Sequence, residues 1–188
     1  GGTGVKDVPV VGDAQLYNPQ LNTWTATGPM VKMRWQPESV RLSDGRVLVV
    51  GGFTEDQSVQ KVSDSAEIYD PASNAWTAAA NLSQARYSHA LVLLPDGQVL
   101  AIGGARDYSN RWNENSFVRE IEIYDPVANR WRIIGELPQP RADATATLLL
   151  DGRAWVTGGR YMETHWSDTW LIEPSMLTQS YQPKIPAP

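Results

Sequence analysis

Three Asp-Gly pairs, each followed at a fixed distance by a Gly-Gly pair, limit the folds that this chain can adopt. The Gly-Gly pair begins seven residues after each Asp, and an arginine lies ten residues before the same Asp. A tyrosine lies a further 17 residues before each arginine. The markers are Asp44-Gly45, Asp96-Gly97 and Asp151-Gly152; Gly51-Gly52, Gly103-Gly104 and Gly158-Gly159; Arg34, Arg86 and Arg141; and Tyr17, Tyr69 and Tyr124. Four markers that recur with a period of 50 to 55 residues indicate a repeat architecture.

The residues between the markers predict four β-strands in each repeat. Around the middle Asp-Gly pair, the apolar residues 90–94 and 99–102 predict a hairpin. We expect a two-residue type I′ turn there, which needs a positive φ at both central residues. Residues 121–124, Ile-Glu-Ile-Tyr, alternate in polarity and predict a third strand. Residues 130–133 predict a fourth strand after a tight turn. We name these strands A to D, starting at the arginine.

Four antiparallel strands in about 50 residues are typical of a β-propeller blade. The sequence Gly-Gly, then Tyr-Asp-Pro, then Asn-x-Trp, then Arg resembles the Kelch motif over residues 8–174. Residues 93–104, LLPDGQVLAIGG, resemble its galactose oxidase-like, bacterial Kelch branch. The resemblance implies an all-β, Kelch-type β-propeller of four-stranded antiparallel blades. We therefore interpret as structural the repeated tryptophans Trp24, Trp76 and Trp131, together with the repeated tyrosines and Gly-Gly pairs.

The repeats predict about three and a half blades. Residues 8–27 supply strands C and D of a first blade, and residues 34–78 and 86–134 supply two full blades. Residues 141–181 supply a fourth blade in which Ile172 replaces the tyrosine and strand D is not evident. The Pro-rich residues 182–188 are typical of an extended linker. An open arc exposes apolar blade faces, so we expect a partial propeller that associates with further blades from the same or another chain.

Strand direction separates the connections into two faces. The A–B and C–D connections share one face, here called the turn face, and are short. The B–C and D–A connections share the opposite face, here called the loop face, and carry the variation in length, so we expect binding there. The candidate ligand-binding residues are Arg106, Tyr108, Arg111, Trp112, Arg160, Tyr161 and Trp166. The alternative is that the long loops and their aromatic side chains cover a sheet edge or an adjacent blade.

The repeated arginines Arg34, Arg86 and Arg141 could form a ring that binds anions. Because they recur at one position in every repeat, we favour a structural role in which they bind carbonyl groups or a carboxylate between blades.

The resemblance to galactose oxidase-like enzymes raises the question of a copper site. That family places a Tyr-His pair before the LLPDG strand and joins a tyrosine to a cysteine. Here Tyr87 matches the tyrosine, but Ser88 stands at the histidine position, His89 is shifted by one residue, and the chain has no cysteine. His89 and His165 are too few for a transition-metal site. We therefore predict no metal and no cofactor, with His89 as a packed polar residue.

The sequence contains no other recognisable catalytic motif, and we predict no catalytic residues. The carboxylates Glu38, Asp56, Asp107 and Asp143 fall on or near the loop face, but their spacing selects no pair for glycosidic chemistry. We expect them to be solvated or to cap turns.

The composition excludes several other classes of function. The net charge is −5 and there is no basic run, so nucleic acid is not an expected partner. No apolar stretch approaches the roughly 18 to 20 residues of a membrane span. Residues 1–7 do not resemble a signal peptide. The absence of cysteine fits an oxidising compartment, which favours an extracellular or periplasmic location without fixing it.

The sequence therefore predicts a non-catalytic binding or scaffolding module that engages a protein or a glycan through its loop face. One alternative is the non-catalytic portion of a larger secreted galactose oxidase-like enzyme. A second is a structural subunit held in an assembly through its open blade edges.

Overall fold

β-sheet dominates the computed structural model, which describes residues 12–56, 59–110, 113–173 and 175–176. The first blade has β1 (Gln15–Asn18) and β2 (Thr23–Ala26). The second blade and its connections have β3 (Arg34–Trp35), β4 (Glu38–Arg41), β5 (Val47–Val50), β6 (Phe53–Asp56), β7 (Val59–Val62), β8 (Ala66–Asp70) and β9 (Ala75–Ala79). The third has β10 (Ala90–Leu93), β11 (Val99–Ile102), β12 (Glu120–Asp125) and β13 (Arg130–Glu136), with a 3₁₀ turn at Glu114–Ser116. The fourth has β14 (Thr145–Leu148), β15 (Ala154–Thr157), β16 (Arg160–Tyr161), β17 (Thr164–His165) and β18 (Thr169–Ile172).

The blades are antiparallel sheets whose strands follow chain order. The second blade is β4-β5-β8-β9 and the third is β10-β11-β12-β13, so each has strands A to D. From residue 12 onward, the described part of the first blade consists of β1 and β2, which are strands C and D, and the fourth blade contains β14-β15-β18, which are strands A to C. The predicted all-β fold and the partial propeller are confirmed.

The A–B turns differ from the two-residue type I′ turns expected from the Asp-Gly pairs. In the third blade the amide of Gly97 donates to the carbonyl of Leu94 at 3.0 Å, and Leu94 in turn donates to Gln98 at 2.8 Å. The loop therefore has three residues, and only its glycine has a positive φ, 86°. Asp96 keeps a negative φ because its carboxylate accepts the amide of Gln98 at 3.0 Å, as in an Asx turn. The expectation of type I′ geometry was wrong.

The C–D turn is fixed by a Tyr–Asn hydrogen bond that occurs in three blades. The hydroxyl of Tyr69 donates to Oδ1 of Asn74 at 2.8 Å, and Asn74 has a positive φ of 52°. Tyr69 pairs with Trp76 across the strands, and their ring centroids are 5.1 Å apart. The same bond joins Tyr17 to Asn22 at 2.9 Å and Tyr124 to Asn129 at 2.8 Å.

Two of the repeated tryptophans also contact the preceding blade. Nε1 of Trp76 donates to Oγ1 of Thr27 at 3.2 Å, and Nε1 of Trp131 donates to the carbonyl of Ala80 at 3.0 Å. In both cases the acceptor lies just after the strand D of the previous blade. Oδ1 of Asn129 accepts the amide of Ala80 at 2.9 Å, so the C–D turn of one blade attaches to the end of another.

The Gly-Gly pairs allow a close backbone contact between blades. The amide of Gly104 donates to the carbonyl of Arg141 at 2.8 Å, and the amide of Gly52 donates to that of Arg86 at 2.9 Å. Gly103 has a φ of 63°, and a Cβ atom there would lie 2.5 Å from the carbonyl oxygen of Arg141. Only glycine fits this contact without displacing the neighbouring blade.

The apolar core lies between blades. One cluster joins the third and fourth blades and includes Leu100, Ile102, Ile123 and Val156. A second cluster joins the second and third blades and includes Leu48, Val50, Val99 and Tyr124. Burial of apolar side chains between adjacent blades supplies the main stabilisation of this arrangement.

The B–C connections contain strands that the sequence analysis did not predict. In the second blade, β6 and β7 form a hairpin, and β3 joins it to make a three-stranded sheet. In the fourth blade, β16 and β17 form a shorter hairpin. In the third blade, isolated bridges join Ala105 to Tyr87 and to Phe117. These strands and bridges therefore order the B–C connections on the loop face.

Candidate functional site

An aromatic layer supports the loop face. Phe53, at the start of β6, is 4% exposed, and its ring centroid lies 4.6 Å from that of Tyr87 and 5.1 Å from that of Trp35. The ring of Tyr108 meets Phe53 edge-on at 6.0 Å. The layer joins residues of the second and third blades, so it fixes the B–C connections relative to each other.

The first of two depressions on the loop face, here called cleft 1, lies between the β6–β7 hairpin and residues 105–109. Its volume is about 280 Å³. Its lining residues are Phe53, Lys61, Val62, Arg106, Asp107, Tyr108 and Ser109. It combines an apolar floor with a charged rim.

The second depression, here called cleft 2, lies on the other side of Arg106 and has a volume of about 320 Å³. Its lining residues are Arg106, Glu114, Asn115, Phe117, Arg119, Glu120, Glu136, Pro140 and Tyr161. The rings of Phe117 and Tyr161 meet edge-on at 5.1 Å. Three glutamates and two arginines give this cleft a mixed but acidic rim.

Hydrogen bonds hold Arg106 between the two clefts. Its Nε donates to the carbonyl of Asn115, and its Nη1 donates to Oε1 of Gln84 at 2.6 Å. Gln84 is itself held, because its Nε2 donates to Oε1 of Glu120 at 2.6 Å. Both acceptors of Arg106 are uncharged oxygens, so these bonds orient the guanidinium without neutralising it.

The predicted ligand-binding residues divide into three groups. Arg106, Tyr108 and Tyr161 line the clefts. Arg160 instead donates from Nε to Oδ2 of Asp143 at 2.5 Å. Trp166 lies over Arg141, with its ring centroid 5.7 Å from the guanidinium carbon, and does not line either cleft. The predicted residues Arg111 and Trp112 lie outside the described residues.

Sequence reasoning missed Phe53, Lys61, Phe117 and Arg119. Phe53 and Lys61 belong to the β6–β7 hairpin, which was interpreted only as variable loop. The apolar residues Phe53 and Val62, which face each other in that hairpin, are the signal that could have indicated it. Phe117 and Arg119 lie next to the predicted loop, and no local pattern marks them.

The repeated arginines are buried and bind their own blade. Arg86 has a fully buried side chain that donates to the carbonyls of Gly103 and Glu120 at 3.1 Å, and its Nη2 pairs with the carboxylate of Glu122. Glu122 also accepts the amide of Ser83 at 2.8 Å. The arginine therefore joins strands within one blade, and the contact between blades is made by its backbone carbonyl.

The other two arginines show how this arrangement varies. Arg34 pairs with Glu67 at 2.6 Å, and both side chains are buried. Arg141 pairs with Asp168 at 3.0 Å, but the Asp168 side chain is 39% exposed. Trp170 stands where the other blades have the glutamate, and its Nε1 donates to Oδ2 of Asp168 at 2.9 Å. None of the three guanidinium groups lines cleft 1 or cleft 2.

His89 is a buried residue that precedes β10. It is 3% exposed, and neither ring nitrogen has a hydrogen-bond partner in the described structure. Burial, and then the positive charge of Arg86, lower the pKa of His89 to about 3. A Cβ atom on Gly51 would lie 3.0 Å from Cε1 of the His89 ring, and one on Gly104 would lie 3.0 Å from Cβ of His89, so His89 lies against both glycines. Within the described residues, no group of three or more His, Cys, Asp or Glu side chains could hold a metal ion.

The candidate carboxylates have separate environments. Burial, and then the charge of Asp143, raise the pKa of Glu38. Asp143 is engaged by Arg160, as described above. The hydroxyl of Ser109 donates to Asp107 at 2.6 Å and lowers the pKa of that carboxyl. Asp56 ends β6, and its side chain lies outside the described part of the chain.

Comparison with known proteins identifies similar sequences and folds. The family model for the Kelch motif matches residues 39–83 and 86–138. Kelch-like protein 35 of Mus musculus is 30% identical over 79% of this chain and 31% of its own length. Kelch-like protein terF of Aspergillus terreus is 25% identical over 82% of this chain and 34% of its own length. The chain thus spans about a third of these two curated relatives.

A solved structure, that of YjhT, has a similar fold. Its TM-score is 0.67 at 16% sequence identity, and the match covers 89% of this chain and 66% of that one. In the described ranges, no helix has the length and apolar character needed to cross a membrane.

Proposed function

The chain belongs to the Kelch-repeat family, and we propose that it is a non-catalytic module that binds a partner protein through its loop face. The observation that carries the proposal is the contrast between the two faces. On the turn face, Asp-Gly loops of three residues join strands A and B. On the loop face, an aromatic layer supports two clefts that contain oriented charged groups. Aromatic and arginine side chains in partly buried positions are those that dominate protein interfaces.

Site-specific photocrosslinking tests this proposal. A photoreactive phenylalanine analogue replaces Tyr161 on the loop face or, as the control, Val127 on the turn face, which is 96% exposed. The proposal predicts a crosslinked protein partner at Tyr161 and not at Val127, and purified partner should bind the unmodified protein in solution. Crosslinks that form equally at both positions would contradict it.

A glycan ligand and an oxidase parent are the alternatives to a protein partner. A glycan array and an assay for peroxide production from alcohols, both on the full-length protein, separate them. The proposal predicts no glycan retention that depends on Arg106 and no peroxide. Either signal would replace the protein-binding account with the corresponding alternative.

We further propose that more blades extend the array at both ends. Trp24 is 66% exposed in the first blade, although the equivalent Trp76 and Trp131 contact a preceding blade. In the fourth blade Trp155 is 41% exposed, whereas the equivalent Leu48 and Leu100 are fully buried. The two ends therefore present the same surfaces that neighbouring blades cover inside the array. Such blades could belong to the same or another chain.

A further inference from the structure

We propose that Asp96 is the residue at which the main chain of this protein isomerises to isoaspartate, because its carboxylate is the least restrained of those in the three Asp-Gly turns. These turns join strands A and B on the turn face, and the structure describes all three. The inference concerns a covalent modification site and does not depend on the proposed binding function.

The reaction joins the side chain of an aspartate to the amide of the next residue. The amide nitrogen of Gly97 bonds to Cγ of Asp96, and the amide proton and the hydroxyl of the protonated carboxyl group leave as water. Water then opens the resulting succinimide at the former main-chain carbonyl, so the chain continues through Cγ. The water lost in the first step is regained in the second, and no oxidant or reductant is needed. Glycine favours the attack because it has no side chain beside the nitrogen.

The three turns share the same backbone arrangement. In each turn the glycine amide donates at 3.0 Å to the carbonyl three residues earlier. Oδ1 of each aspartate accepts the amide two residues later, at 3.0 to 3.1 Å. The φ angles of the three glycines lie between 86° and 92°. These features therefore do not make one turn more reactive than the others.

An arginine restrains the carboxylate in two of the turns. Oδ2 of Asp44 accepts Nε of Arg46 at 2.8 Å and Nη2 at 2.7 Å. Oδ2 of Asp151 accepts Nε and Nη2 of Arg153 at 2.9 and 2.7 Å. The hydrogen bonds from the arginine side chains lower the pKa of both carboxyl groups. Each carboxylate must therefore lose a charge-assisted pair and gain a proton before the glycine amide can attack it.

Asp96 lacks this restraint. Gln98 stands where the other two turns have arginine. The carboxylate of Asp96 accepts the amide of Gln98 at 3.0 Å, and no other group among the described residues donates to it. Asp96 is also exposed to water. Release of a single hydrogen bond thus frees this side chain, whereas an ion pair must also break in the other turns.

The product would no longer fit the A–B turn of the third blade. Isoaspartate adds one carbon atom to the main chain inside a three-residue loop. That loop is closed by the amide of Leu94, which donates to the carbonyl of Gln98 at 2.8 Å. We therefore expect the modification to weaken the hairpin of β10 and β11.

Site-resolved peptide mapping of the full chain tests the assignment. The protein is incubated at neutral pH, and mass spectrometry with electron-transfer fragmentation measures isoaspartate in each turn over time. Asp96 should isomerise about threefold faster than Asp44 and Asp151, the ratio expected from an exposed ion pair. Gln98→Arg should slow the reaction at Asp96 by about the same factor, and Arg153→Gln should accelerate it at Asp151. Gln98→Met, which adds no donor, is the matched control and should leave the rate at Asp96 unchanged.

Several results would overturn the assignment to Asp96. They are equal rates in the three turns, a faster rate in a turn with arginine, an absence of isoaspartate at Asp96, and equal effects of Gln98→Arg and Gln98→Met. The same incubation in urea separates the folded turn from the local sequence. The differences between turns should shrink in urea because the hydrogen bonds of the turns are lost. Differences that persist unchanged in urea would contradict a role for the folded turn.

Both arginine exchanges are compatible with the fold, because arginine already occupies the equivalent position in two blades and glutamine occupies it in the third. The Tyr161 crosslinking experiment tests the proposed function separately, so either idea can fail without the other.

Discussion

At the scale of single residues, His89 makes the stability of the protein sensitive to acid. Its pKa is about 3 in the folded protein, against an ordinary value of 6.5. The unfolded chain therefore binds more protons between these values, so the contribution of His89 to stability is complete above about pH 6.5 and is lost as the pH falls toward 3. The loss approaches about 1.4 kcal/mol for each pH unit.

The prediction is that His89→Ala reduces this dependence. Ala144 occupies the equivalent position in the fourth blade, so the fold accommodates alanine there. Urea denaturation at pH 7 and pH 4 should show a smaller difference in unfolding free energy for His89→Ala than for the unmodified protein. His165→Ala, which changes an exposed histidine, is the control. An unchanged difference in His89→Ala would show that other groups cause the acid sensitivity.

The buried arginine pairs differ in how much water reaches them. Glu122→Ala leaves the fully buried guanidinium of Arg86 without its carboxylate, and we expect a cost of about 3 to 5 kcal/mol. Asp168→Ala should cost clearly less, because the partly exposed Asp168 site admits water to Arg141. Equilibrium unfolding in urea measures both. Equal costs would mean that exposure does not set the strength of the pair.

At the scale of structural elements, the Gly-Gly pairs should tolerate substitution less than the turn glycines. Gly97 and Gly103 both have a positive φ, 86° and 63°. A Cβ at Gly97 has Ser43 Oγ 3.6 Å away, whereas at Gly103 it would lie 2.5 Å from the carbonyl oxygen of Arg141. Gly97→Ala should therefore cost only about 1 to 2 kcal/mol.

Gly103→Ala carries the same backbone strain and also pushes two blades apart, so its cost should exceed that of Gly97→Ala by about 1 to 3 kcal/mol. Thermal unfolding of the two variants measures the difference. If both variants unfold at the same temperature, the contact between blades at Gly103 adds no cost beyond the backbone strain that the two variants share.

Elements with a strict repeat could be predicted from the sequence, and elements without one could not. The apolar runs and fixed spacing around Asp96-Gly97 predicted strands A and B, and the Tyr69–Trp76 segment marked the C–D turn. The turn geometry was wrong because propensity alone does not distinguish a two-residue loop from a three-residue loop. The β6–β7 hairpin was missed because it occurs in a segment whose length changes between repeats. Arg106 and Tyr108 were chosen by residue type, but the cleft around them depends on packing against Phe53, about 50 residues earlier.

At the scale of the whole molecule, further blades at both ends of the array should cover the exposed end surfaces in the full-length protein. Hydroxyl-radical footprinting should find Trp24 and Trp155 as protected as Trp76. Leu150, which is fully exposed on the turn face, provides the reference for exposed residues. Rapid oxidation of Trp24 and Trp155 would contradict the extension of the array by further blades.

Recognition on the loop face can be tested by hydrogen–deuterium exchange in the presence of the crosslinked and purified partner. The measurement compares amide exchange of the protein with and without that partner. Binding on the loop face predicts slower exchange in residues 59–62, 105–110 and 160–165, which belong to the B–C connections. Slower exchange confined to the turns at residues 43–45, 71–74, 95–97 and 126–129 would contradict it.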